Sequence, residues 1–180
     1  MDVNSISIMK AVVDKHNLAG KFVVDMGSYD VNGTYRSLFT GWYVGVDIIP
    51  GPNVDVLVGS DEWMALDSVD AVISGQTIEH VADIPEFMAG IFRILKPGGL
   101  LCIIAPSDGP AHDYPIWVGN FPTDRMKQTI EDGGFEIISI TVSEELPWKL
   151  CCCVAQKPEA ASVEQSNTEK RKEMHENIES

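Results

Sequence analysis

Long apolar runs are missing from this 180-residue chain. None approaches the roughly 18 residues that a bilayer-spanning helix needs, so no helical membrane span is expected. Basic residues are scarce: 13 Lys and Arg stand against 27 Asp and Glu, a formal net charge of −14. From Pro158 onward the chain holds six acids and three bases, which leaves −11 on the preceding body. A body that acidic repels phosphate backbones and anionic lipid surfaces, so neither nucleic acid nor a membrane is expected as a partner. The basic triplet Lys170-Arg171-Lys172 is flanked by Glu169 and Glu173. The apolar core of a secretory signal is absent as well, because Asp2, Lys10 and Asp14 interrupt the start. Cysteine is limited to Cys102 and the run Cys151-Cys152-Cys153. Spaced Cys/His pairs of a zinc site are lacking, and neighbours along a strand bridge poorly, so these read as buried thiols. A reducing, cytoplasmic setting follows from that reading.

What is present suits one domain. Length leaves little room for a second, and 44% hydrophobic residues supply a core. Ile6, Met9, Val12 and Val13 keep helical spacing, so an opening helix is expected to run to about Leu18, ended by Ala19-Gly20. Short apolar runs predict strands at 22–24, 42–46, 54–58, 70–74 and 100–105. Near-continuous apolar runs of this kind suit parallel strands covered on both faces. Ile84, Phe87, Met88, Ile91, Phe92 and Leu95 form one helical stripe, with Asp83 as N-cap, Pro85 early in the helix and Pro97-Gly98-Gly99 as its stop. A further helix is expected over 123–132, capped by Thr123 and ended by Gly133-Gly134. Two strands, 135–142 and 148–155, are joined by a Pro147-containing link too short for a crossover helix, so they are expected to pair antiparallel. The expected fold is α/β and Rossmann-like: a seven-stranded, mostly parallel sheet with helices on both faces and a C-terminal antiparallel pair. Connections around 50–52 and 60–67 are too short for long helices, which makes this a trimmed form. The domain is assigned to residues 1–157, and 158–180 reads as a polar, disordered tail.

Two strand ends carry chemistry. The first strand runs into Asp25-Met26-Gly27-Ser28-Tyr29-Asp30-Val31-Asn32-Gly33. Gly27 can take positive φ and admit a ligand close to the backbone, although a G-x-G-x-x-G dinucleotide fingerprint is absent. A tight strand-to-helix turn without a ligand explains the same residues. Asp47 ends the second strand 20 residues later, where a carboxylate can accept both hydroxyls of an adenosine ribose. It reads equally as a strand-end cap. Nicotinamide and adenosylmethionine enzymes both use such an acid.

Two further stretches separate those classes. Asp70-Ala71-Val72-Ile73-Ser74-Gly75-Gln76-Thr77-Ile78-Glu79-His80-Val81 and Ile91-Phe92-Arg93-Ile94-Leu95-Lys96-Pro97-Gly98-Gly99-Leu100-Leu101 resemble the fourth-strand motif and the following helix-and-turn motif of class I S-adenosylmethionine-dependent methyltransferases, in the group acting on small molecules. The resemblance covers about residues 22–156. It implies that Asp25, Gly27, Ser28 and Tyr29 border the methionine part of S-adenosyl-L-methionine, and that Asp47 holds the ribose with Ile48 against the adenine. It further implies Asp61 and Glu62 near the adenine amino group, and Gly75 and Gln76 beneath the sulfonium. Tyr29 and Val31 replace expected glycines, a departure from the family's loop. The implied activity is methyl transfer to a small-molecule acceptor, with S-adenosyl-L-homocysteine as product.

Positioning the acceptor in line supplies much of such a rate, and a base is needed only where the acceptor loses a proton. His80, His112 and Asp113 are the candidates. His80 also reads as a cap or packing residue. A metal role would need more nearby His and Glu ligands than its own segment supplies, so no metal site is assigned. The proline-rich segment 105–122, with His112, Tyr114 and Trp117, reads as the acceptor pocket or as a packed connecting loop. Alternatives to the transferase are a non-catalytic binding or regulatory module on the same fold, and an NAD(P)-dependent oxidoreductase. The oligomeric state, monomer or homodimer, is left open.

Overall fold

A computed structural model describes residues 3–58, 65–112, 116–144 and 149–159. The Pro147-Trp148 link and the tail from Ala160 lie outside that set. Helix α1 (Val3–His16) is followed by strands β1 (Val23–Met26), β2 (Tyr43–Asp47), β3 (Val56–Leu57) and β4 (Val69–Gly75). Helix α2 (Ile84–Ile94) then runs directly into β5 (Leu95–Asp108), and α3 (Thr123–Asp132) precedes β6 (Glu136–Val142) and β7 (Lys149–Gln156). The seven strands form one sheet in the order β3-β2-β1-β4-β5-β7-β6. Pairing is parallel from β3 to β5 and antiparallel at β5–β7 and β6–β7. The last strand is thus inserted between two earlier ones. That order departs from the 3-2-1-4-5-6 order of doubly wound dinucleotide-binding sheets.

Both sheet faces are covered, which is why the central strands read as apolar runs. Met88, Ile91 and Ile94 of α2 and Met126 and Ile130 of α3 pack on one face with Val24, Val72, Leu101, Cys151 and Cys153. Met9, Val12 and Val13 of α1 pack on the other with Tyr35, Ile73, Cys102 and Cys152. The cysteine run alternates between the two faces as a strand must. Its thiols are free and buried, and burial pushes Cys151 up to about 11 and Cys153 up to about 12.

Several boundaries differ from the sequence pattern, each for a local reason. Helix α1 stops at His16 because Asn17 turns left-handed (φ 54°) and Leu18 N–H donates to the Val13 carbonyl at 3.0 Å. That is a helix-ending turn Asn tolerates, and it precedes Ala19-Gly20. Asp83 does cap α2, accepting from Glu86 N–H at 3.0 Å. The helix ends one residue before Leu95, which already pairs with Val69 as the first residue of β5. Pro97-Gly98-Gly99 is therefore an irregular strand segment, tied by Gly98 N–H to the Lys157 carbonyl and Lys157 N–H to the Gly99 carbonyl. Thr123 is the first residue of α3 and makes no side-chain cap; Pro122 occupies that position. Strand β3 shrinks to two residues at the sheet edge. Between β1 and β2, the described helical structure is a single 3-10 turn, Arg36–Leu38.

The close of the domain depends on one lysine. Lys157 is only 8% exposed. Its ammonium donates to the carbonyls of Phe92 and Leu95 (both 2.8 Å) at the end of α2 and pairs with Asp67 at 2.6 Å, lying 4.6 Å from the Phe92 ring centroid. Cations at helix C-termini meet the negative end of the helix dipole. Lys157→Met is expected to destabilise the domain by about 2 kcal/mol, which lowers Tm by roughly 4–8 °C at this size. An unchanged thermal midpoint by calorimetry refutes that role.

Candidate functional site

Parallel strands present all their carboxyl ends at one edge, and the order reverses between β1 and β4. A cleft of about 560 Å³ opens there, where open α/β sheets bind ligands. Its walls come from the ends of β1 (Met26, Gly27, Tyr29) and β2 (Val46, Asp47, Ile48), and from the turn after β4 (Gln76, Thr77, His80). Phe87 of α2 also lines it.

Backbone conformation shapes the floor. Gly27 has φ 81°, and a Cβ there would overlap the Thr77 side chain, so a larger residue would be both strained and obstructed. Gln76 has φ 56° at the end of β4. A non-glycine residue held left-handed at a strand end costs energy and points to function. Asp47 reaches the cleft while bracing it: one carboxylate oxygen accepts from Tyr29 N–H (3.0 Å), the other from Ile48 N–H (2.7 Å) and Ile49 N–H (3.3 Å). A carboxylate offers about four acceptor sites, so part of its capacity remains for a ligand hydroxyl. Ile48 and Ile49 are exposed on the cleft side.

Of the residues the sequence points to, Gly27, Tyr29, Asp47, Ile48, Gln76 and His80 meet at this cleft. Asp25, Ser28 and Gly75 do not line it. Ser28 is buried and donates to the Asn53 carbonyl at 3.1 Å. Gly75 packs against the Tyr35 ring, which a Cβ would strike. Asp61, Glu62 and Asp113 lie outside the described residues, as does Tyr114. The sequence reading missed Thr77, Val81, Ala82 and Phe87, which line the cleft. A strand-end search looks at the last strand residue, whereas these sit on the following turn and helix.

Asp25 lies behind the cleft floor, 1% exposed. One of its oxygens accepts from the Tyr43 hydroxyl, and the other has no partner among the described residues. Tyr43 in turn accepts from the Asn53 amide at 3.1 Å and lies under the Arg36 guanidinium, 4.4 Å from its ring centroid. Burial pushes the Asp25 carboxyl up to about 7; the Tyr43 hydroxyl and Arg36 oppose this, while Asp47 adds to it.

The segment after β5 returns to the turn that carries His80. Val118 N–H donates to the Glu79 carbonyl at 2.8 Å. The His80 Nδ1 lies 2.5 Å from the Ile116 carbonyl. Trp117 packs on both histidines, 4.5 Å from the His112 ring and 5.9 Å from the His80 ring. Among the described residues of 105–122, none lines the cleft itself, so His80 is the junction between loop and cleft. Glu79 is fully buried with both carboxylate oxygens unpartnered among the described residues, and burial pushes it up to about 8. Ligating atoms of Glu79, His80 and His112 all lie within 4.8 Å of one another. The sequence assigns no metal site because the segment around His80 supplies too few His and Glu ligands by itself; the returning loop brings His112 beside it.

Comparison with known proteins places this geometry. Residues 39–103 match the family model described as a methyltransferase domain. A protein of Mycolicibacterium smegmatis named "Probable S-adenosylmethionine-dependent methyltransferase" is 31% identical over 94 residues, covering 48% of this chain and 37% of that protein. A phthiotriol/phenolphthiotriol dimycocerosates methyltransferase of Mycobacterium leprae is 26% identical over 140 residues, covering 68% of this chain and 51% of that protein. The chain thus spans about half, or less, of the length of the curated relatives it matches. The crystal structure of a Burkholderia thailandensis 1,6-didemethyltoxoflavin-N1-methyltransferase, with 1,6-didemethyltoxoflavin and S-adenosylhomocysteine bound, superposes with a TM-score of 0.71 at 18% identity, covering 88% of this chain and 80% of that one. At that identity the likeness is one of fold.

The buried carboxyl generates a pH prediction. An acid whose folded pKa is raised releases its proton more readily when unfolded, so its contribution to stability falls as pH rises from about 4 through about 7. The loss is on the order of 4 kcal/mol. Asp25→Asn, which keeps an acceptor for Tyr43, is expected to gain stability over the parent at pH 8 and to lose that advantage by pH 4. Parallel Tm-versus-pH curves for the two proteins contradict the assignment.

Proposed function

On the class I methyltransferase fold that this chain carries, we propose that the cleft binds S-adenosyl-L-methionine and that the protein transfers its methyl group to a small-molecule acceptor. The observation that supports this most directly is the convergence of Asp47, Gly27 and Gln76 on one cleft at the strand-order reversal. The Asp47 carboxylate accepts the ribose hydroxyls and Ile48 packs on the adenine. Gly27, Tyr29 and Gln76 border the methionine part, with Asp25, Ser28 and Gly75 as support behind the floor. Asp61 and Glu62 meet the adenine amino group. The acceptor enters at the His80 and Phe87 end.

The sulfonium makes the methyl electrophilic, so the protein's task is alignment and exclusion of water. His80, His112 and Asp113 are the candidates to take a proton where the acceptor carries one. The acidic body favours a cationic cofactor and disfavours nucleic acid and anionic membrane as partners. No helix among the described residues is long and apolar enough to cross a membrane, and a cytoplasmic setting is proposed with it.

The test is calorimetric titration of the full chain with S-adenosylhomocysteine, NAD and NADP. Binding of the adenosyl ligand alone is expected, and no binding at millimolar ligand sinks the reading. Asp47→Ala is expected to weaken that binding at least tenfold, or about 1.4 kcal/mol. Because Asp47 also braces Tyr29, Ile48 and Ile49, a modest fall in Tm should accompany the loss. Unchanged affinity removes Asp47 from the cofactor site.

A further inference from the structure

Glu79, His80 and His112 are brought together beside the cleft, and we propose that they form a binding site for a divalent first-row transition cation of the zinc class. Two imidazoles and one carboxylate leaving open positions is the donor set of such ions. Four observations support the assignment. First, the Glu79 carboxylate is fully buried, and neither oxygen has a partner among the described residues. Both oxygens are thus open to a cation, and a buried carboxylate is ionised readily only when paired or coordinated to a metal. Second, a carbonyl can only accept, so the 2.5 Å contact with the Ile116 carbonyl places the proton on His80 Nδ1. That tautomer makes Nε2 the ring nitrogen able to ligate, and this is how metal-bound histidines are commonly oriented. Third, His112 Nδ1 faces the Pro110 carbonyl at 3.5 Å in the same sense. Fourth, Trp117 packs on both rings and holds their planes.

The separations are compatible with closure. Ligand atoms within 4.8 Å of one another need to approach by at most about 1.4 Å to reach the roughly 3.4 Å that separates ligands around a tetrahedral ion. His112 is exposed, so its side chain has room for that movement. His80 also lines the cleft, which puts the ion's open positions at the acceptor end. There it would hold an acceptor oxygen and favour its deprotonated form, a service that stands in place of proton uptake by His80 and His112, whose ring lone pairs the ion would occupy. Only this last service rests on the methyl-transfer reading; the ion site stands on its own three residues.

The test uses the full chain after treatment with a chelator. It is titrated with Co2+ by visible absorption and with Zn2+ by calorimetry, and S-adenosylhomocysteine is titrated separately. One equivalent of metal is expected, with d–d bands and without the near-ultraviolet charge transfer that thiolate ligands give. His80→Ala and His112→Ala are expected to weaken metal binding at least tenfold, and His112→Ala to change adenosylhomocysteine affinity less than twofold. Glu79→Gln is expected to raise the Tm of the metal-free chain and to abolish the rise that Zn2+ produces in the parent. No saturable binding below millimolar metal, thiolate bands, or full affinity in His112→Ala each overturns the ion site. The adenosyl titration reports on the cofactor reading independently, so failure of one leaves the other standing.

Discussion

Side-by-side parallel pairing of β1 with β2 and β4 is the constraint on which the site depends. In register, Val23 pairs with Tyr43 on one side and with Ala71 on the other. Strands aligned this way finish at the same edge, so Met26, Asp47 and Gly75 terminate together. The chain must leave that edge through tight turns. Gly27 with its positive φ and Gln76 in a left-handed conformation are the local consequences. Asp47 then ties the two neighbouring turns by their N–H groups. Fold and cleft are therefore one object: the groups that face a ligand also hold the strand ends.

Two carboxylates are buried near this edge, and they differ in how they are held. Asp25 sits behind the floor with a phenol donor from Tyr43. Glu79 sits beside the cleft with no such donor among the described residues. An unpaired carboxylate costs several kcal/mol in a dry interior unless it is protonated or meets a cation. In a chain with net charge −14, cationic groups are what such positions accept, and this bears on both the proposed sulfonium cofactor and the proposed ion. The domain economises elsewhere. Helices that would cover β2 and β3 are absent among the described residues, the edge strand is two residues long, and Ile48, Ile49 and Leu57 are left exposed.

Much of the fold was legible because its signals are local. The α2 stripe, the Asp83 cap and the apolar β4 and β5 runs depend on neighbours in sequence, and they appear where periodicity and capping place them. Boundaries shifted where a distant partner intervened. Leu95 left the helix for a strand because Val69 pairs with it, and Thr123 yielded the cap to Pro122. The place of β7 was not legible. Antiparallel neighbours were expected from the short link, but insertion between β5 and β6 depends on which edge β7 finds. The fully buried face pattern of Leu150 to Ala155 is the signal that could have suggested a central strand.

The same division holds for the site. Sequence alone determined the residue types at strand ends, Gly27, Asp47 and Gln76, because each is set by the strand it terminates. It also determined the apolar alternation that sends Cys151 and Cys153 to one face and Cys152 to the other. Tertiary structure decided which of those residues share a cavity and which, like Asp25, Ser28 and Gly75, are consumed by packing. It alone brought His112 and Trp117 to Glu79 and His80, since the returning loop is fixed by backbone hydrogen bonds such as Val118 to Glu79. The physical reason is range: periodicity and turn chemistry act over a few residues, whereas burial and convergence are properties of surfaces that exist only after the sheet has formed.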